Sequence, residues 1–311
     1  MSAAPPDQRR ATLYRIGAAA LALAVLVGGL LYWRSQSFTP VAELLRRLPR
    51  EDRVIASFDV STLRRAGLLQ ALTATQPEAD YQKFVQATGF DYLRDLDTLL
   101  VAYGKQEEIL FVRGSFDLSR LRNYATQNEG ACSGSICRVK GSTPGVTIGF
   151  ARVDGRTLAV ASSNNPNAID LLLAPQPGAL PIEPQPEPIW LLLAPAMLKD
   201  NLLPPRMAMF ATAALECDHA YLALGTRSND EGNAFQARLQ ATCQSETQAR
   251  QALRELEAAT TMLTRVLARE QKQPDPADLS GILTQGKFQA EGNRISGTWP
   301  IDKAFVESLG K

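Results

Sequence analysis

The chain has 311 residues, 45% hydrophobic and 21% charged, which suits a packed globular protein and excludes a disordered one. Its 33 basic and 32 acidic residues leave a formal charge of +1, so the composition offers no broad electrostatic surface for nucleic acid. A single histidine, His219, excludes any catalytic or metal site that needs two imidazoles from one chain.

Apolar residues are unevenly spread. Ile16 to Trp33 reads IGAAALALAVLVGGLLYW, 18 residues whose only polar groups are the Tyr32 hydroxyl and the Trp33 indole. At ~1.5 Å per residue the run covers about 27 Å, enough to cross the hydrocarbon core of a bilayer. Arg9, Arg10 and Arg15 precede it and favour a cytoplasmic N-terminus, while Tyr32, Trp33 and Arg34 close it as an interfacial belt would. The pattern predicts a cytoplasmic tail over 1–15 and a transmembrane helix over 16–33, with the lipid bilayer as a partner. A cleaved signal peptide is the rival reading, with Ser35-Gln36-Ser37 at the cleavage position. Its apolar run is only ~7–15 residues, however, and the run here is longer and ends in bulky aromatics.

Residues 40–174 predict a first α/β module. Val41, Leu44, Leu45 and Leu48 recur at helical spacing, as a short amphipathic helix leaving the bilayer. RVIASFDV reads as a buried strand, followed by one helix through Leu63, Leu68, Leu69 and Leu72 and another over roughly 78–87. DTLLVAYG and EILFVRGSF read as strands, and Asp117 as the cap of a helix with Leu118, Leu121, Tyr124 and Ala125 on one face. A small polar loop, CSGSIC, comes next; strands GVTIGFARV and RTLAVASS around Asp154-Gly155 and a helix in NPNAIDLLLA end the module.

Residues 175–188 carry six prolines in 14 positions and predict an extended, stiff linker. Residues 189–311 then repeat the order of the first module at an offset of about 120 to 140 residues. IWLLLAPAMLKD matches VIASFDVSTLRR as strand then helix, and a hairpin, a helix and a second hairpin with its helix follow. The helix after Ser245 is the clearest element, with a Ser245…Gln248 capping box and a stripe through Ala249, Ala252, Leu253, Leu256, Ala259, Leu263, Val266 and Leu267.

The four cysteines fall into two local pairs. CDHAYLALGTRS and NAFQARLQATCQ are β-prone runs joined by Asn229-Asp230-Glu231-Gly232. With Asp230 at the centre, facing residues have numbers summing to 460, so Cys217 opposes Cys243 at a spacing a disulfide bridges. That register sets Tyr221 against Leu239, Ala223 against Ala237 and Gly225 against Phe235, and puts Leu222 and Leu224 on the other face with Arg238 and Gln236. Cys132 and Cys137 predict a second bridge across their loop. Zinc is the rival reading, but the pairs are 80 residues apart with one histidine, and no Cys-x-x-Cys is present. Two disulfides place the domain in an oxidising compartment.

This layout, with phrases such as LRRLPREDRVIASFDV and GFDYLRDLDTLLVAYG, resembles that of uncharacterised bacterial single-pass membrane proteins with a duplicated extracytoplasmic α/β domain. The resemblance covers most of the chain after Leu44 and implies architecture, with no activity to carry over.

Catalytic signatures are sparse. Asp91, Asp95 and Asp97 form the densest acidic group but lack the glycine and distal glutamate of a calcium loop, so they read as a helix end. Gly141-Ser142-Thr143-Pro144-Gly145 is followed by a hairpin strand and reads as a loop rather than a nucleophile elbow. His219 has no nucleophile or acid at a recognisable spacing, and no phosphate loop or Ser-x-x-Lys motif appears. Cys217, Cys243, Cys132 and Cys137 are therefore structural, and no catalytic, metal or cofactor residue is assigned.

The sequence thus predicts an α+β protein: an N-terminal transmembrane helix, then two repeated modules, each an antiparallel sheet covered by helices on one face. It predicts a non-catalytic binding or scaffold protein of the bacterial inner membrane with a periplasmic C-terminal domain, an envelope protein as partner, and a binding surface in the cleft between modules. An envelope hydrolase with an unrecognised site and a carrier of an apolar ligand between sheet and helices are the alternatives. The oligomeric state is left open.

Overall fold

Strand and helix signals alternate from Val41 onward, and the computed structural model turns them into 12 strands and nine helices among the described residues. These residues are 39–49, 53–69, 79–104, 107–176, 182–193, 217–226 and 235–308. In the first half lie α1 (Val41–Leu45), β1 (Val54–Asp59), α2 (Val60–Arg65), α3 (Ala79–Thr88), α4 (Tyr92–Asp95), β2 (Leu96–Tyr103) and β3 (Glu107–Gly114). They are followed by α5 (Leu118–Gln127), β4 (Ala131–Ser133), β5 (Ile136–Lys140), β6 (Thr147–Arg152), β7 (Thr157–Ser163) and α6 (Ala168–Leu171). The second half holds β8 (Ile189–Leu193), β9 (Cys217–Thr226), β10 (Phe235–Cys243), α7 (Glu246–Arg269), α8 (Leu279–Leu283), β11 (Lys287–Glu291), β12 (Arg294–Ile301) and α9 (Lys303–Ser308).

All 12 strands belong to one antiparallel sheet, in the order β11-β12-β10-β9-β8-β1-β2-β3-β7-β6-β5-β4. This corrects the expected fold class of a transmembrane helix followed by two modules, each with its own sheet. The seam is the pair β1–β8, where Ile55 faces Leu192 and Ser57 faces Trp190. The physical reason lies in β8 itself: IWLLL has no polar residue and is backed by β9 on its other side, so an open edge there would expose an apolar ribbon. Pairing with β1 removes both edges. The interdomain cleft expected between the halves is therefore filled by backbone hydrogen bonds and core. The predicted transmembrane segment 16–33 lies outside the described residues, and no described helix is long and apolar enough to cross a membrane. The helices expected through Leu72 and after β8 run partly or wholly outside the described residues as well.

Helices cover both faces of the sheet. On the face of Trp190, α1 and α6 close a core that includes Leu44, Leu45, Leu48, Ile55, Phe111, Ile169 and Leu172. The helix expected to emerge from a bilayer is thus a core helix, with Leu44 and Leu45 each 2% exposed. Burying a leucine of this kind stabilises the fold by about 1.5–3 kcal/mol. Small residues make the approach of α6 feasible, since a Cβ on Gly149 would meet the Ile169 side chain at 2.8 Å. On the face of Ile189, α2 and α4 cover Phe58, Leu99 and Val112. On that same face α7 and α8 cover Leu239, Ala241, Ile295 and Trp299.

Capping follows the sequence. The Asp59 carboxylate accepts from Thr62 N at 2.9 Å, Asp117 accepts from Ser119 N and Arg120 N, and Ser245 Oγ accepts from Gln248 N at 3.2 Å. Where the chain enters the domain, Thr39 N donates to Asp154 at 2.8 Å and the Arg113 guanidinium donates to the Thr39 carbonyl. Thr39, the first described residue, is thereby fastened to the β6–β7 turn.

Candidate ligand-binding trough

The face of Trp190 changes character across the sheet. Over the first half it is apolar and covered by α1 and α6, but past Tyr221 it becomes polar and no described helix crosses it. The reason is strict alternation. Along β12, Ile295, Gly297, Trp299 and Ile301 are buried beneath α7 and α8, whereas Arg294 and Ser296 point the other way and are exposed. On β11, Gln289 and Glu291 are likewise exposed on the side opposite Phe288 and Ala290.

The register sets these side chains in two rows. One row runs Tyr221, Gln240, Ser296, Gln289 and the other His219, Thr242, Arg294, Glu291, each crossing β9, β10, β12 and β11. Three strand intervals at about 4.8 Å make each row about 14 Å long. Above the rows lies a trough of about 690 Å³, comparable with small-molecule sites of about 300–1,000 Å³. The side chains of Gln240, Thr242, Gln289, Glu291, Arg294 and Ser296 make no hydrogen bond or ion pair with any other described residue.

The proline-rich segment supplies the wall. Glu183 and Gln185 line the trough, Ile182 packs against the adjoining core, and Pro188 O accepts from Asp59 N at 2.6 Å. Glu187 accepts from Arg238 on β10 at 2.6 Å. Close approach of this strap to β9 requires Gly225, because a Cβ there would sit 2.9 Å from Glu187 Cγ. The described part of the expected free spacer is thus docked on the sheet. At the apolar end of the trough, Tyr221 is half-buried and its hydroxyl is hydrogen-bonded by the Glu183 backbone. Burial raises its pKa above the usual phenol value, with the Glu183 carboxylate adding to the rise and the hydrogen bond opposing it. His219 meets it edge to face, with ring centroids 5.7 Å apart.

The cysteines form both expected bridges, Cys132–Cys137 and Cys217–Cys243. They are not near one another: the first ties the β4–β5 hairpin at one end of the sheet order, where a loop was expected, and the second ties β9 to β10 beside the trough. Cys243 also exchanges hydrogen bonds with Asn293, its N–H donating to Asn293 O at 2.9 Å and its carbonyl accepting from Asn293 Nδ2 at 3.0 Å. The disulfide and the β11–β12 turn together fix the end of the trough that carries His219 and Arg294.

The hairpin register differs from the expected one. Tyr221 faces Gln240 and Leu222 faces Leu239, a sum of 461, and a bulge at Asp218 recovers the Cys217–Cys243 pair. Leu222 and Leu224 therefore share a face with Leu239 and Ala237, and Arg238 and Gln236 with Ala223 and Gly225. The acidic group is dispersed: Asp91 caps α4, Asp95 pairs with Arg94 at 2.8 Å, and Asp97 pairs with Arg156 at 2.6 Å. Gly141 to Gly145 form the β5–β6 turn, with Gly145 at φ 83°. The trough residues other than His219 were not singled out from the sequence, although their period-two polar pattern on four strands is visible there once the register is known.

No protein-family model matches the chain, and no curated protein matches it. Solved structures of the Treponema protein TP0453 resemble it at low identity. Crystal form III aligns with TM-score 0.48 and 14% identity over 88% of this chain and 97% of that one. Crystal form IV gives TM-score 0.45 and 15% identity over 88% and 96%, and crystal form I gives 0.42 and 15% over the same shares.

Proposed function

We propose that this is a non-catalytic binding protein of an extracytoplasmic compartment, and that the trough on β9–β12 is where it takes its ligand or partner. The carrying observation is the set of polar side chains, unengaged among the described residues, on a four-strand floor with the proline-rich strap as a wall. A site on strands of a continuous sheet is pre-organised, so ligand binding loses little to ordering of the protein. Both disulfides use all four cysteines, which supports an oxidising location. Assembly with an envelope protein is the form of binding that suits such a location.

Photocrosslinking tests the reading. A photoreactive amino acid placed at Gln289 or Ser296 of the full chain in intact cells is expected to give a defined adduct, and the same group at Arg250 on α7 is not. Adducts from Arg250 with none from the trough positions would remove the trough from the function.

A further inference from the structure

Resting on the reading of the trough as a ligand site, we propose that its ligand is a neutral oligosaccharide. Of the four floor strands, β9, β10 and β12 are each paired on both sides and β11 ends the sheet, so the backbone groups beneath the trough are engaged in the ladder and recognition from above falls to side chains. Those side chains are carboxamides, hydroxyls, two carboxylates at Glu183 and Glu291, and one guanidinium at Arg294. A sugar hydroxyl both donates and accepts, which calls for such a mixture of donors and acceptors. One guanidinium against two carboxylates disfavours a phosphorylated or otherwise polyanionic ligand. An extended peptide would add to the outer edge of β11, beside the trough rather than over it, and would seek apolar side-chain pockets, whereas the two rows over the floor carry mainly polar side chains. At the inner end Tyr221 and His219 present aromatic surface for the apolar C–H face of a pyranose ring.

The test uses the full-length chain with both disulfides intact, in buffer free of glycerol and alkyl glycosides. Chitotriose, cellotriose and maltotriose are titrated by calorimetry, with penta-alanine as the peptide probe. Saturable binding of at least one trisaccharide is expected, weakened about tenfold by Gln240→Ala or Gln289→Ala and about a hundredfold by both together. Arg250→Ala, on the opposite face, leaves it unchanged. Equal circular dichroism and melting temperature of the variants separate lost contacts from lost folding. Retention on purified peptidoglycan sacculi, lost in the double variant, identifies a wall glycan as the source; binding of trisaccharide alone identifies a free sugar. Failure of all three sugars at millimolar concentration, or binding indifferent to both glutamines, overturns the proposal. Binding of penta-alanine that depends on Gln240 overturns the saccharide class and leaves the trough standing, whereas crosslinks confined to Arg250 remove the trough itself.

Discussion

Glu187 in the proline-rich strap and Arg238 on β10 meet at 2.6 Å, joining residues 51 apart in sequence across the wall of the trough. Their side chains are 11% and 40% exposed, so solvent screens the pair and its contribution to global stability is about 1 kcal/mol or less. Its local effect is larger in consequence, because the strap also holds the Asp59 amide through Pro188 O. Glu187→Gln is expected to speed hydrogen exchange at Asp59 N–H about fivefold, with little change in the denaturation midpoint. Unchanged exchange would show that the prolines alone hold the strap.

Asp154 gives a pH dependence with a definite sign. Burial works to raise its pKa, but backbone hydrogen bonds from Thr39 and Arg156 outweigh that, and the carboxyl is held below the ordinary aspartate value. A carboxyl with a depressed folded-state pKa stabilises the fold above its unfolded pKa and ceases to do so as pH falls through the folded value. Asp154→Asn should therefore be less stable than the wild type near pH 7, and the gap should close as pH drops below about 4. Urea titrations of both proteins at neutral and acid pH measure this. A gap that persists unchanged in acid would mean that the Thr39 clamp does not depend on the charge.

Much of the fold was legible because hydrophobic periodicity and capping chemistry act locally. Asp117, Ser245 and the strand runs around Phe111 and Ala159 needed only their neighbours in sequence. Sheet continuity was not legible, since the pattern of IWLLL says that β8 is buried and says nothing of which strand lies beside it. The trough was hidden by one residue. With Asp218 counted into a regular ladder, leucines and polar residues of β9 and β10 fall on the same face; with Asp218 bulged, the faces separate cleanly into core and polar floor. The cysteine pair is common to both registers, so the disulfide gave no warning of the slip.

The two disulfides should differ in worth. Cys217–Cys243 closes a separation of 26 residues and Cys132–Cys137 one of 5. Chain-entropy scaling makes the first worth about 3–4 kcal/mol and the second about 2 kcal/mol. Unfolding of the paired Cys→Ala variants in urea should reproduce that order. The Cys217/Cys243 variant should also lose oligosaccharide or partner binding first, because that bridge and Asn293 anchor the end of the trough. Equal losses in the two variants would indicate that the β4–β5 hairpin contributes packing beyond its short loop.

Adjacent residues on β12 supply the sharpest check on the division between core and floor. Ile295 is 3% exposed against the α7 and α8 core, while Ser296 beside it faces the trough and is exposed. Ile295→Ala should cost about 2–5 kcal/mol through lost burial and a cavity. Ser296→Ala and Gln240→Ala should each stay within about 0.5 kcal/mol, because neither side chain has a partner to lose among the described residues. Side chains dispensable for folding yet needed for crosslinking or binding are the signature of a recognition surface. A loss above about 2 kcal/mol for Gln240→Ala would instead mean that the floor is packed, and the open trough would have to be abandoned.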